Sequence, residues 1–182
     1  MSAEARVRLL ERDAVAPETA AIYDALLAAR GVVPNMFKVL AHTPAIAPAV
    51  AGFLKPLLAD GALRGWYKGL VAVRVSQHHE SAYAVRAHGI SARQKGATEE
   101  QIARVSDFEN GPYSAKEKLG FRLADTLHEG AATVSDEFFS ELRKDFSEPE
   151  LVELFLTAAA FEMFPRFVDG LRVPITPAPA AK

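Results

Sequence analysis

Four polar residues in the second half of the chain have the sequence context of helix N-caps. Thr98 precedes two acidic residues, and Ser114 is followed three positions later by Glu117, which is the pattern of a capping box. Ser135 and Ser147 also precede segments with early acidic residues and apolar residues at helical spacing. The side-chain oxygens of such residues accept hydrogen bonds from the first free N–H groups of a helix. The pattern predicts successive helices in this half.

The first half of the chain is also predicted to be helical. We expect a helix over residues 18–30 that ends at Gly31, a short helix that stops before Pro44, and a helix over residues 44–60. Residues 65–88 are predicted to form one long helix. Alternating valines near its centre also fit a strand, but no hairpin turn follows them.

Length and composition fit one globular domain. The chain has 182 residues, of which 49% are hydrophobic and 24% charged, and its net charge of -2 gives no reason to expect nucleic acid as a partner. We predict a single all-α domain over residues 1–173 and a disordered Pro/Ala-rich tail over residues 174–182. No apolar run approaches the length of a membrane span, and the charged N-terminal residues lack a signal-peptide core. We therefore expect a cytoplasmic protein.

The sequence contains no cysteine. Disulfides, thiolate metal sites, iron–sulfur clusters and cysteine nucleophiles are therefore excluded for these 182 residues. Any chemistry must come from side chains such as histidine, carboxylate, serine and tyrosine.

The segment HHESAYAVRAH, residues 78–88, holds most of the candidate catalytic side chains. If it continues the preceding helix, Arg74, His78, Ser81 and His88 lie on one face. Burying such groups without partners would cost about 1–3 kcal/mol each. The pattern therefore predicts that they line a cavity, a subunit interface or a polar network.

The candidate catalytic residues are His78, His88, Ser81 and Tyr83. Both histidines can move protons near neutral pH. Ser81 can donate a hydrogen bond or, with a histidine as base, act as a nucleophile, although no acid is placed to orient that base. Tyr83 can stabilise an enolate oxygen.

The candidate substrate-binding residues are Arg74, His79 and Glu80. Arg74 can hold a carboxylate in a bidentate arrangement, and the alternative is an ion pair with Asp125 or Glu153. His79 and Glu80 have the alternative of being ordinary surface residues.

No metal and no cofactor are predicted. The segment HHE lacks the HExxH spacing of zinc proteases, and His78 and His88 would be nearly three turns apart on one helix. His42 and His128, in a loop and near a helix end, are expected to be capping or exposed residues.

Four segments spread over nearly the whole chain carry a resemblance. In chain order they are GVVPNMFKVLAHTPAIAPAV, LRGWYKGLVAVRVSQ, ESAYAVRAHGISARQKGATEEQI and FSEPELVELFLTAAAFEMFPRFVDGL. They resemble the carboxymuconolactone decarboxylase family, which includes the AhpD-like alkylhydroperoxidases. No single segment is specific, but their order supports the resemblance. It implies an all-α, AhpD-like single-domain fold.

The same resemblance implies a homo-oligomer, a trimer or a hexamer of two trimers, with sites near subunit interfaces. The aromatic residues of the last helix agree with this, because they lie on nearly every face of it: Phe155, Phe161, Phe164 and Phe167.

This chain departs from the pattern of the family's peroxidase members, which carry a Glu and then C-x-x-C-x-x-x-H. The resemblance places the Glu at Gly69, the cysteines at Ser81 and Ala84, and the histidine at His88, so only the histidine is present. Tyr83 resembles decarboxylase-type members, but their following Glu is Ala84 here. Thiol peroxidase chemistry requires an attacking thiolate and a resolving thiol, so we exclude it.

Two functions stay open. The first is a cofactor-independent lyase or isomerase that performs acid–base chemistry on a small carboxylate or lactone, with Arg74 placing the carboxylate and the histidines moving protons. The second is a non-catalytic small-molecule binding or scaffold protein that kept the fold and lost the redox site. The density of polar groups in residues 78–88 favours the enzyme.

Overall fold

The computed structural model describes residues 5–178, in which every regular element is helical. The all-α prediction is therefore confirmed for this part of the chain. The α-helices are α1 Pro17–Arg30, α2 Asn35–Leu40, α3 Ile46–Leu58, α4 Gly65–His78, α5 Ala82–Gln94, α6 Glu99–Ala103, α7 Ala115–Glu129, α8 Asp136–Asp145 and α9 Glu148–Gly170. Among residues 5–178, no helix combines the length and the apolar character needed to cross a membrane.

Three of the four predicted N-caps are confirmed by their hydrogen bonds. Thr98 and Ser114 each form a complete capping box, at the start of α6 and α7. The Ser135 side chain accepts a hydrogen bond from the backbone N–H of Phe138 in the first turn of α8. Local sequence thus sets where these helices begin.

The prediction of one helix over residues 65–88 is wrong. α4 ends at His78 and α5 begins at Ala82. Glu80 between them adopts a left-handed conformation with φ of 52°, and the Ser81 side chain caps α5 by accepting a hydrogen bond from the N–H of Ala84. Ser81 is therefore the N-cap of a new helix and not one position on a continuous helical face.

The chain forms two compact units, one from the residues up to Lys55 together with those from Phe167 onward, the other from Pro56–Arg166. The core of the first unit contains Tyr23, Phe37 and Leu40. Burial, with a smaller contribution from Glu11, raises the pKa of Tyr23 to about 12. Its hydroxyl donates to the carbonyl of Leu10 at 3.0 Å.

Part of the predicted tail lies in the first unit. Residues 174–178 have no regular secondary structure, and Asn35 donates hydrogen bonds to the Pro174 carbonyl and to the Thr176 hydroxyl, each at 3.0 Å. Residues 179–182 lie outside the described residues. Disorder of residues 174–182 stays a prediction.

The second unit is built around α4, which packs against α5 and α7. Most of α4 is buried, including Lys68, whose side chain is only 1% exposed. Its ammonium donates to Oε2 of Glu153 on α9 at 2.8 Å. A buried lysine needs such a partner, because an unpaired charge in the core is strongly destabilising. The polar residues at the other end of α4 form the candidate site.

Candidate functional site

Five polar residues of the second unit form one cluster, which we call the histidine cluster. His78 is the last residue of α4 and His79 follows it as the C-cap. Asp125 and His128 lie near the end of α7, and Glu162 lies on α9. The cluster therefore joins the C-terminal ends of two helices to the side of a third.

Asp125 is the first of two carboxylates in the cluster. It accepts two hydrogen bonds from Arg74, from Nε at 2.6 Å and from Nη2 at 2.9 Å, in a bidentate ion pair. His78 Nε2 donates to Oδ1 of Asp125 at 2.7 Å, and this oxygen also accepts from Arg74 Nε. The alternative that Arg74 closes an ion pair is thus confirmed, with Asp125 as its partner. The carboxylate fixes the orientation of the His78 ring.

Glu162 is the second carboxylate. His79 Nε2 donates to its Oε2 at 2.7 Å, His128 Nδ1 donates to its Oε1 at 2.9 Å, and Arg166 donates to Oε2 at 2.8 Å. Burial raises the pKa of Glu162, but the hydrogen bonds from these three side chains outweigh burial and lower that pKa overall. Glu162 is therefore ionised at neutral pH.

The imidazole rings connect the two carboxylates. His128 stacks on His78 with ring centroids 4.5 Å apart and an interplanar angle of 14°, and it meets His79 edge-on at 5.0 Å. Three imidazoles in contact, each hydrogen-bonded to a carboxylate, form one connected polar network.

The predicted site residues divide between two helices. Arg74 and His78 lie on α4 and His79 is its C-cap; both histidines belong to the histidine cluster, and Arg74 is paired with its Asp125. Ser81, Tyr83 and His88 belong to the segment that caps and forms α5. The prediction that Arg74, His78, Ser81 and His88 share one helical face is therefore wrong, because the chain turns at residues 79–81.

The α5 residues have their own surroundings, and Glu80 lies between the helices. Ser81 and Tyr83 are buried, and Ser81 Oγ is the cap of α5. The ring of His88 packs edge-on against Phe161 with centroids 4.3 Å apart. Glu80 is exposed, in agreement with the alternative that it is an ordinary surface residue. The same alternative is wrong for His79.

The position that the resemblance gives to the family's Glu is tightly packed against α5. A Cβ atom at Gly69 would lie 3.0 Å from the Cβ of Ala92 and 3.3 Å from its Cα. A side chain at position 69 would therefore require α4 and α5 to move apart by a few tenths of an ångström. The glycine at this position fits the close packing of the two helices.

His128, Glu162 and Arg166 are the residues that sequence reasoning missed. His128 was expected to be a capping or exposed residue, but its side chain is 27% exposed and bonded to Glu162. The available signal was spacing, because Asp125 and His128 are three residues apart on α7. His42, by contrast, is exposed as expected, with its ring at 2.9 Å from the Arg8 carbonyl.

A surface cavity of about 250 Å³ lies in the first unit. Its charged lining residues are paired with each other, Arg12 with Asp24 and Lys38 with Glu11. None of the predicted site residues lines it, so it offers no support for a site there.

Comparison with known proteins gives a family match over part of the chain and the same fold in solved structures. Residues 44–119 match the model of the carboxymuconolactone decarboxylase family. No curated protein matches the chain in sequence. Among solved structures, an uncharacterized peroxidase-related protein with an alkylhydroperoxidase AhpD core from Ralstonia eutropha JMP134 matches with a TM-score of 0.87 and 20% identity, covering 94% of this chain and 92% of that one.

Two further structures have the same fold. An uncharacterized peroxidase-related protein from Silicibacter sp. TM1040 matches with a TM-score of 0.87 and 19% identity over 96% of this chain and 92% of that one. The debrominase Bmp8, in complex with 2,3,4-tribromopyrrole, matches with a TM-score of 0.83 and 19% identity over 97% of this chain and 96% of that one. At these identities the likeness shows a shared fold and not a shared reaction.

Proposed function

We propose that this chain, which has the AhpD-like fold, is a member of the carboxymuconolactone decarboxylase family, whose model matches residues 44–119. We further propose that it performs lyase- or isomerase-type acid–base chemistry on a small carboxylate or lactone. The observation that carries the proposal is the pair formed by His78 and Asp125, whose Nε2 and Oδ1 atoms are 2.7 Å apart. The proposed chemistry needs no cofactor.

A carboxylate beside an imidazole supports proton transfer in two ways. It holds the ring in one tautomer and orientation, and it stabilises the imidazolium that forms when the ring takes a proton. Arg74 holds Asp125 through two hydrogen bonds, so the carboxylate cannot rotate away from His78. We assign His78 the role of proton carrier and Asp125 the role of positioning residue.

The charge balance of the cluster suits an anionic substrate. Arg74 and Arg166 compensate Asp125 and Glu162, so with neutral imidazoles the four charged groups sum to zero. Each imidazole that takes a proton then adds one positive charge, which a substrate carboxylate would neutralise. The debrominase Bmp8 binds a tribrominated pyrrole, and by analogy a small ring compound suits this chain.

The roles predicted for the remaining residues stay proposals. We assign His88 a second proton transfer, Tyr83 the stabilisation of an enolate oxygen, and Ser81 a supporting hydrogen bond. Substrate contacts are assigned to Arg74, His79 and Glu80, and Arg74 makes its contact while paired with Asp125. Thiol peroxidase chemistry is excluded for these 182 residues by the absence of cysteine.

The second candidate is a non-catalytic binding or scaffold protein. It is favoured by the complete ion pairing of the charged groups at the histidine cluster. Arg74 pairs with Asp125, and Arg166 pairs with Glu162. Such a network also stabilises a fold without reacting. A binding protein would show saturable binding of a small acid without consuming it.

The deciding experiment measures loss of 4-carboxymuconolactone, and of a panel of related lactones and β-keto acids, by the purified protein. The variants are His78→Gln, Asp125→Asn and His88→Gln, with His42→Gln as the matched control because that histidine is exposed. The proposal expects turnover to fall by about 10²–10⁴-fold in His78→Gln, the usual contribution of a general acid or base. The control should keep its turnover.

The other outcomes are equally informative. Unchanged turnover in His88→Gln would remove the role of His88, and unchanged turnover in His78→Gln would overturn the proposed centre. Saturable retention of an acid in native mass spectrometry, without turnover by any variant, would favour the binding protein.

We further propose a homo-oligomer, with the trimer or hexamer that the resemblance implies. Phe161 and Phe164 are buried and do not support it, but Val152, Leu156 and Met163 on α9 are 66%, 46% and 53% exposed. A monomer mass in light scattering would contradict this proposal.

A further inference from the structure

We propose that His79, His128 and Glu162 form a binding site for a divalent transition-metal ion of the zinc type. One ligand atom from each of the three residues lies within 4.8 Å of the other two. This inference goes beyond the proposed function, which gives proton transfer to His78 and Asp125 and requires no metal.

The geometry around the Glu162 carboxylate is close to that of a metal site. His79 Nε2 lies 2.7 Å from one carboxylate oxygen and His128 Nδ1 lies 2.9 Å from the other. Ligands bonded to zinc at about 2.0–2.2 Å in a tetrahedron are separated by roughly 3.3–3.6 Å. Small rotations of the three side chains therefore bring their ligand atoms around one ion.

The donor set selects the class of metal. Two imidazoles and one carboxylate suit Zn²⁺, Co²⁺, Ni²⁺ or Fe²⁺, whereas Mg²⁺ and Ca²⁺ prefer oxygen ligands alone. Three protein ligands leave at least one coordination position for water or a substrate oxygen.

The helix ends make the location favourable for a cation. His79 is the C-cap of α4, and His128 lies in the last turn of α7. The C-terminal end of a helix carries partial negative charge, which stabilises a nearby cation. Two helix ends converge here on a carboxylate whose lowered pKa keeps it ionised. The ligand side chains of His79, His128 and Glu162 are 13%, 27% and 17% exposed, so an ion can reach them.

Arg166 is the group that opposes metal binding. Its guanidinium donates to Glu162 Oε2 at 2.8 Å, the same oxygen that His79 contacts. Arg166 is 59% exposed and pairs with Glu162 across one helical turn, so it can swing into solvent when an ion binds. Removing this positive charge should strengthen metal binding, whereas it would weaken a purely structural network.

The experiment titrates untagged protein, first dialysed against a chelator, with Co²⁺ and records its visible d–d absorption. We expect one Co²⁺ per chain, displaced by Zn²⁺. Affinity for Co²⁺ should fall by about 10–100-fold when the site is disturbed. We expect a fall of this size in His79→Ala, His128→Ala and Glu162→Gln. The control His42→Ala should bind as the unchanged protein does, and Arg166→Gln should bind more tightly.

The affinity should also fall as the pH falls, because protons compete with the metal for both imidazoles. Circular dichroism and thermal melting of each variant separate loss of the site from loss of the fold, and Glu162→Gln is the informative variant because it preserves side-chain size. The proposal is overturned if no stoichiometric Co²⁺ binds, or if binding persists in folded Glu162→Gln and His79→Ala. Turnover measured with excess chelator tests the proposed function separately.

Discussion

Two glutamates on α9 perform contrasting tasks for the same neighbouring helix. Glu153 accepts hydrogen bonds from the ammonium of Lys68 on α4 and from the backbone N–H groups of Ala62 and Leu63. These donors are one ammonium and two backbone amides. Glu162, which accepts from His79 after the end of α4, is surrounded by groups of another kind.

The donors of Glu162 are two imidazoles and an exposed guanidinium. For both glutamates, burial raises the pKa and hydrogen bonds outweigh it, so both carboxylates are ionised. The difference lies in the partners. Permanent donors at Glu153 make a fixed attachment between helices, whereas imidazoles at Glu162 can exchange a proton or accept a metal ion.

The largest predicted effect comes from breaking the ion pair between Glu153 and Lys68. Glu153→Gln would leave the ammonium of Lys68, which is 1% exposed, without a countercharge. We expect a loss of about 3–5 kcal/mol in the free energy of unfolding, measured by denaturant titration. Glu162→Gln is the comparison, and a loss at Glu153 no larger than at Glu162 would contradict the contrast.

The second prediction concerns the glycine that allows Glu153 its position. A Cβ atom at Gly61 would lie 2.2 Å from Oε1 of Glu153. Gly61→Ala should therefore destabilise the protein by about 1–3 kcal/mol through steric displacement of the carboxylate. Gly52→Ala is the matched control, because nothing lies within 4 Å of a Cβ there and the residue is inside α3. That control should be neutral or stabilising by thermal melting.

The third prediction uses pH. Because the folded-state pKa of Glu153 is lowered from its ordinary 4.5, its contribution to stability is present above pH 4.5 and is lost as the pH falls through the folded-state value. Unfolding free energies of the unchanged protein should therefore decline below pH 4.5. Glu153→Gln should show a shallower decline over the same interval, and parallel curves would refute this assignment.

The smallest predicted effect tests whether the hydrogen-bond partners of Glu162 can be exchanged. Arg166→Gln removes an exposed pair across one helical turn and should change stability by only about 0.2–0.5 kcal/mol. Arg74→Gln, by contrast, breaks the bidentate pair with Asp125 and should cost more. Equal losses in urea unfolding would show that Arg166 is as firmly held as Arg74.

Helix starts were predictable from sequence because capping is a local interaction. Thr98 and Ser114 bond within three residues of themselves, so the sequence contains both partners at fixed spacing. The break before α5 was missed although Ser81 carried the same signal. The polar residues on either side of it also have the spacing of one continuous helical face, and a left-handed Glu80 is an uncommon conformation for that residue type.

The site was only partly predictable because its partners are distant in sequence. His78 and His79 were named, but the acceptors Asp125 and Glu162 lie 47 and 83 residues away from them, respectively. Which carboxylate each histidine reaches depends on how α4, α7 and α9 pack. Nothing in local spacing determines that choice, and the same holds for His128.

The close approach of Gly69 to Ala92 bears on how reversible the departure from the peroxidase pattern is. Point mutations at Ser81 and Ala84 would supply two thiols at the start of α5. A glutamate at position 69 would still meet the backbone of α5, since the Cα of Ala92 lies 3.3 Å from the added Cβ. A lineage that regained both thiols would therefore also need α4 and α5 to separate by a few tenths of an ångström before an acidic side chain at position 69 fitted without crowding.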